Sequence, residues 1–479
     1  MLKLRKLIIM KALKRILFVL LAVSLVITSC KKELKTDEPI SQNENVTFAD
    51  IKVPVDFDWS SVAYKGLTIN AVDANNELST AFDGMPLNVT TLDGELIQAG
   101  VVNEGQFVLT LNLPKTVENV RLYCAETDQE MIVSVDSQNV NFAFTPSKSF
   151  ASLKDSDGDH VVDKYDQFPN DATRAFYGGY FSGGNHAGTF KDSPAGDNYY
   201  FHIFEDLWPS TGDYDFNDII IALKFGIVTN WRNEIVGGNV TWYVWSVGSS
   251  QSHPTGLGHE FMKFTPNNST FHYMDQGSLT SFSSDFESIH IDPGANASNN
   301  LILYNNIFDH LDPYYNNCGD GETAGQTWGK PGTPIKIEYS FTINHNQHLH
   351  GITLFPYLFM TNEPGKQVRT YGMPPSATAD MSLLNTYEDV SPTTWNWDVG
   401  NSFVYPLVGS NSFYKTANYH PWGLEFCTDN FKVPLEKVSI LEAYPQFRSW
   451  AESGGNVNPD WYDHPDNSKV FDVLPYFEP

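Results

Sequence analysis

Cysteine is scarce in this chain, four in 479 residues. Cys30 ends an apolar run, which leaves Cys124, Cys318 and Cys427, and three thiols allow at most one intrachain disulfide. A disulfide-stapled scaffold is excluded, and the pairing expected is Cys318 with Cys427, which fall in one region. No C-x-x-C pair occurs, so redox, zinc-finger and haem-attachment spacings are absent. Basic residues are also short, 30 Lys and Arg against 57 Asp and Glu, a formal charge of −27 at pH 7. Nucleic acid and anionic lipid headgroups are poor partners for such a surface. Helix-period stretches are few: only 379–384 and 436–450 qualify, and Pro445 interrupts the second. Enzyme signatures fail as well. His259 and Glu260 begin like H-E-x-x-H, but Lys263 stands where the second His must be, and there is no G-x-S-x-G elbow or phosphate loop. A glycosidase-type carboxylate pair stays open in so acidic a chain.

What the chain does have begins with an export signal. Lys3, Arg5, Lys6, Lys11, Lys14 and Arg15 precede an apolar run over 16–27. That run is shorter than the ~20 residues a spanning helix needs. Thr28, Ser29 and Cys30 follow, with Lys31 next, and a start at Met10 would leave a sufficient signal. The junction resembles the lipobox of bacterial lipoproteins. The resemblance implies that residues 1–29 are removed and that Cys30 carries the lipid anchoring the protein to a bacterial outer membrane or cell surface.

Residues 30–52 are polar and without periodicity, which predicts a flexible tether. Over 53–147, short alternating runs at 66–72, 87–91, 106–111, 120–123, 130–135 and 140–144 are separated by turn residues, which predicts a small β-sandwich. Residues 175–479 are rich in Tyr, Trp, Phe, Gly and Asn, with strand-like runs at 199–204, 218–225, 240–247, 335–343 and 352–359. The expected class is therefore all-β, with a small N-terminal sandwich, a linker over 148–174 and a large C-terminal β-rich domain.

The linker holds the first of two acid clusters. In DSDGDHVVDKYDQFP, Asp155, Asp157, Asp159, Asp163 and Asp166 take the first, third, fifth, ninth and twelfth places of a loop. Five like charges at that spacing repel one another unless a divalent ion neutralises them, and calcium takes six to eight oxygens from such an alternation. The stretch resembles the thrombospondin type 3 repeat, D-x-D-x-D-G-x-x-D-x-x-D followed by Pro, here Pro169. His160 replaces the expected Gly at the sixth place, and His is among the few other residues that visit the left-handed region with any frequency. A bound ion would stiffen this joint.

The second cluster, FEDLWPSTGDYDFND, lies between two predicted strands and has no Lys or Arg. Asp213, Asp215 and Asn217 alternate, Asp218 follows, and Glu205 and Asp206 approach from the preceding strand end. Asp and Asn in loops also bond backbone, and Phe204, Trp208 and Phe216 suit a core as well as a site. With YKTANYHPWGLEF at 414–426 and VSILEAYPQFRSWAESGGNVNPDWY at 438–462, this motif resembles the LruC-type domain over 175–471. That resemblance implies an exported bacterial lipoprotein module without an established catalytic site. Outside its pattern lies FTINHNQHLHG, where His345, His348 and His350 read as an exposed loop rather than a zinc or copper site.

The expectation is thus a lipid-anchored, calcium-binding, non-enzymatic envelope protein serving adhesion, glycan contact or envelope structure. Its partners would be the membrane, through Cys30, and a glycan or protein at the surface. The alternative is a glycan-active enzyme or glycan-capture lipoprotein of an uptake system, which the 14% aromatic content would serve by stacking on sugar faces.

Overall fold

A computed structural model describes residues 46–145, 153–180, 199–249, 252–275, 278–283, 289–291, 300–316, 332–344, 348–398, 400–429 and 431–476. The fold is all-β, and residues 47–479 form one compact unit. The lipobox and Cys30 lie outside the described residues, as do Cys318 and His345.

The N-terminal strands make the expected sandwich. One sheet has Val62–Val72 at its centre, antiparallel to Gln106–Pro114 and parallel to Asn139–Ala143. The other contains Pro86–Thr90, Leu96–Val101, Asn119–Cys124 and Gln129–Ser134. The strand Leu96–Val101 was not among the predicted runs, because Gly100 breaks its alternation. Leu67, Ile69, Leu87, Val89, Phe107, Leu109 and Leu122 fill the space between the sheets. The second sheet does not end there. A single pairing, Gln98 with Gly178, carries it into the large C-terminal sheet.

That large sheet is organised by two long strands, Ile219–Thr229 and Ile235–Val247, in antiparallel register. Ile219–Thr229 reads as an apolar run, interrupted only by Lys224 before its final Thr229, because both of its faces are covered. Ile219, Ile221, Leu223 and Phe225 point to one core, shared with Phe261, Leu354 and Phe355 of the facing sheet, whose strands include Thr255–Thr265 and Ile352–Met360. Ile220 and Ala222 point to a second core with Phe201, Trp245 and Phe426, capped by the short helices Ile440–Ala443 and Phe447–Glu452. These helices are what the predicted segment 436–450 becomes, broken around Pro445. The segment 379–384 becomes a single 3-10 turn, Met381–Leu383.

One expectation is corrected. Phe48 and Ile51, placed in the tether, are 3% and 2% exposed and belong to the second core, so their apolar side chains anchor the end of that stretch. Among the described residues Cys427 and Cys124 form no disulfide, and the buried Cys427 Sγ donates to the Tyr199 carbonyl 3.2 Å away; Cys318, the partner expected for Cys427, lies outside them.

Candidate metal sites

The strands Tyr199–Phe204 and Ile219–Thr229 pair directly, Phe204 opposite Ile219, so residues 205–218 form a long hairpin connection at one end of the sheet. Connections of that length without secondary structure are unusual in a compact domain and tend to carry function. Strand Gly423–Thr428 lies along the other edge of Tyr199–Phe204, and the Glu205 amide donates to Trp422 O at 2.9 Å. The loop is thereby folded inward rather than into water.

Within it, acids and aromatic rings alternate. Tyr214 and Phe216 both take positive φ, 60° and 54°, a conformation uncommon for bulky residues and held here by packing. The carboxylates of Glu205, Asp213 and Asp215 converge, each with one oxygen within 4.8 Å of the others. Glu205 and Asp215 are fully buried, and Asp213 lies exposed at the mouth. Glu205 Oε1 accepts from Phe216 N at 2.8 Å. Asp215 accepts from Asn217 N at 3.1 Å and from Lys437 N at 3.0 Å. Glu205 Oε2 has no hydrogen-bond partner among the described residues, and neither have Asp206 Oδ2 and Asn217 Oδ1, although all three are buried. The Asn217 amide is oriented by its Nδ2, which donates to Pro434 O at 3.0 Å. Asp218 is turned partly aside, since its Oδ2 accepts from the Asp206 amide at 2.8 Å.

Burial dominates the electrostatics. Loss of water, followed by the nearby Asp213 charge, pushes Glu205 up to about 8. Loss of water, the largest cause here too, brings Asp206 to about 6, and Asp215 and Asp218 are held well above the carboxylate range, first by dehydration and then by neighbouring carboxylates, Glu205 and Asp213 for Asp215, Asp206 and Glu205 for Asp218. An unpaired buried carboxylate oxygen is costly, and a cation or a proton relieves it. A hard divalent ion suits this donor set, which consists only of oxygens.

The Asp ladder is built differently. It rests on a small core of Ala99, Val101, Val161, Ala175 and Phe176, so it sits where the sandwich strand Leu96–Val101 meets the large sheet at Phe176–Tyr180. Asp155, Asp157 and Asp159 each bring an oxygen within 4.8 Å of the others. Asp155 accepts from Gly158 N at 2.7 Å and from His160 N at 3.1 Å, which holds His160 at φ 80°, the left-handed conformation expected at the sixth place. Asp157 Oδ2, Asp159 Oδ2 and Asp166 Oδ2 are buried and unpartnered among the described residues. Dehydration raises Asp159 and Asp166 to about 6 each. Asp163 departs from the expected set. It is bound by Ser156 N at 2.6 Å, by Ser156 Oγ at 2.7 Å and by Lys154 Nζ at 3.0 Å, contacts that lower its pKa. Lys154, one residue ahead of the ladder, competes for the ninth-place ligand, and sequence spacing had no means of signalling that.

Gly212 was also missed. A Cβ there would lie 1.7 Å from Glu205 Oε2, so the backbone itself forms one wall of the cradle. Of the three histidines, His348 contacts Glu234 at 2.5 Å and His350 contacts Asn233 O at 3.2 Å. Those two therefore turn to separate partners.

Comparison with known proteins places residues 233–462 in a match to the family described as a domain of unknown function, DUF4842. Both carboxylate clusters precede that span. The match lies within the region of LruC-type resemblance, but its description names neither that type nor the thrombospondin repeat. No curated protein matches the chain. A candidate lipoprotein from Bacteroides ovatus is similar in structure, 13% identical, over 81% of this chain and 100% of its own, with a TM-score of 0.45. The full-length RrgB pilus protein of Streptococcus pneumoniae aligns over 66% of this chain and 51% of its own at 8% identity and a TM-score of 0.15. At such scores neither carries an argument. No helix among the described residues is long and apolar enough to cross a membrane.

Proposed function

We propose that this is a lipid-anchored, calcium-binding, non-enzymatic protein of the outer membrane or cell surface, in which two carboxylate sites hold the exported fold rigid. The observation that carries the reading is Glu205 Oε2, fully buried, without a hydrogen-bond partner among the described residues, and converging with Asp213 and Asp215. At the inner site Glu205, Asp213, Asp215 and the Asn217 amide oxygen would hold the ion, with Asp206 and Asp218 adjoining. At the ladder, Asp155, Asp157, Asp159 and Asp166 would do so, while Asp163 would have to leave Lys154 to join them. Anchoring at Cys30 rests on the basic, apolar and Ser-Cys order of the leader.

Calcium is expected to raise the melting temperature of the chain from Lys31 onward. At a hundredfold excess over Kd, each occupied site adds about 2.7 kcal/mol. Asp157→Ala with Asp159→Ala should remove only the ladder's share of that gain. Calorimetric melts with calcium and with chelator check this, and identical calcium gains in the variant and the parent would refute the ladder as a site.

Glycan capture has one supporting feature, a groove of about 770 Å³ whose lining includes Arg174, Tyr177, Trp231, Asn239, Ser340 and Thr342. Trp231 is half-buried and meets His160 of the ladder edge-on at 5.0 Å. If a surface polysaccharide occupies the groove, Trp231→Ala should weaken binding at least about fivefold, since truncating an aromatic anchor of a binding surface costs more than about 1 kcal/mol. Retention on immobilised polysaccharides measures it. Release of reducing ends during that assay would favour an enzyme over a capture protein.

A further inference from the structure

The loop that gathers the acids also seats the first folded residues after the proposed lipid tether. Phe48 is 3% exposed and lies flat on Tyr214, ring centroids 4.1 Å apart and planes 7° from parallel. It packs against Phe216 at 5.7 Å and edge-on to His420 at 5.1 Å. His420 Nε2 donates to Ile51 O at 3.0 Å, and Trp59 Nε1 donates to Tyr419 O at 2.7 Å. Asp213, Tyr214, Asp215 and Phe216 are consecutive, so one short stretch of backbone places two carboxylates beside Glu205 and two rings beneath Phe48. The path cannot change on one side without changing on the other, because Tyr214 and Phe216 are already held in the left-handed region.

We infer that ion binding by Glu205, Asp213 and Asp215 and docking of residues 47–53 are linked, so that calcium sets how closely the folded body is held to its membrane anchor. The inference rests on the calcium reading of the inner site. Without the ion nothing gathers Asp213 and Asp215 onto Glu205, the floor under Phe48 shifts, and the segment peels back toward Trp59. Freed as far as Val53, the segment would lengthen the tether by up to about 25 Å, at roughly 3.5 Å per residue. In calcium-rich surroundings the protein would stand close to the membrane, and in calcium-poor ones it would reach further.

Hydrogen exchange on the full chain in detergent, with calcium and with chelator, tests the linkage. Amides of residues 47–53 should exchange at least tenfold more slowly with calcium, while those of Gln106–Pro114, in the sandwich core, stay unchanged. Asp213→Asn with Asp215→Asn should abolish the slowing, and Asp155→Asn with Asp157→Asn should leave it intact. Linkage is reciprocal, so Phe48→Ala should weaken calcium binding at the inner site, by at most the factor by which calcium slows exchange. Phe48→Leu, which keeps the burial but not the stacking, gives a smaller change in the same direction. Calorimetric titration with calcium separates the possible failures. If heat is lost on changing Asp213 and Asp215 but exchange of 47–53 ignores calcium, the linkage is wrong and the site stands. If no heat belongs to those residues, both fall.

Discussion

Between pH 5.5 and pH 8 the melting temperature gained from calcium is expected to grow severalfold, and Glu205→Gln is expected to remove most of the growth above pH 7. Glu205 is held at about 8 and Asp206 at about 6, with Asp215 and Asp218 well above the carboxylate range, each chiefly by dehydration. A carboxyl whose folded pKa is raised contributes stability that is complete below its unfolded value and lost as pH rises through the folded one. At pH 5.5 protons therefore do part of what calcium would do, and calcium must displace them. Its affinity should fall about tenfold per pH unit for each proton displaced. At pH 8 the protons are leaving and the ion takes their place. Asp163 and Asp171, whose pKa values are lowered, titrate below this window, and the ladder's Asp159 and Asp166, at about 6, add to the growth only in its lower part, which leaves the growth between pH 7 and pH 8 to the inner site. His202 and His259, buried and held neutral at about 3, lower the calcium-free baseline as pH falls. The measurement is therefore the difference between melts with calcium and with chelator at each pH. Glu205→Gln keeps the acceptor for Phe216 N but carries no charge, so the calcium-free variant should melt above the parent at pH 8. A calcium increment that does not change with pH would contradict the inner site.

Gly212→Ala is expected to cripple the same site from the backbone side. The new Cβ would fall 1.7 Å from Glu205 Oε2 and 2.9 Å from its Cδ. A flexible surface carboxylate could swing away, but Glu205 is fully buried and tied through its amide to Trp422 O and through Oε1 to Phe216 N. Its carboxylate must leave the cradle, breaking a charged hydrogen bond in the interior at a cost of about 1–3 kcal/mol. Calcium affinity at the inner site should fall at least a hundredfold, while the ladder, in another part of the fold, titrates as before. Calorimetric titration of the variant resolves the two sites. An unchanged inner affinity would mean that Glu205 is not a ligand.

Much of the fold could be read from the chain. The runs at 199–204 and 335–343 are the strands Tyr199–Phe204 and Ile335–Ile343, and Pro445 broke the one long helical segment as its missing N–H requires. Tethers are recognised by polarity, and 30–52 is polar on average. The average concealed Phe48 and Ile51, two apolar residues whose partners are some 160 to 370 positions away, in Tyr214 and His420.

By itself the sequence determined the β class and the oxygen-rich spacing of both loops, since these follow from side-chain chemistry and from periods of two to five residues. Which acids converge was decided only by tertiary structure. Asp163 left the ladder for Lys154 and Ser156, and Glu205 lost its water because Trp422, Pro434 and Lys437 close over the loop from more than two hundred residues away. Spacing along a chain limits which oxygens can meet, but their hunger for an ion depends on the exclusion of water, and that is supplied by residues that are neighbours only after folding.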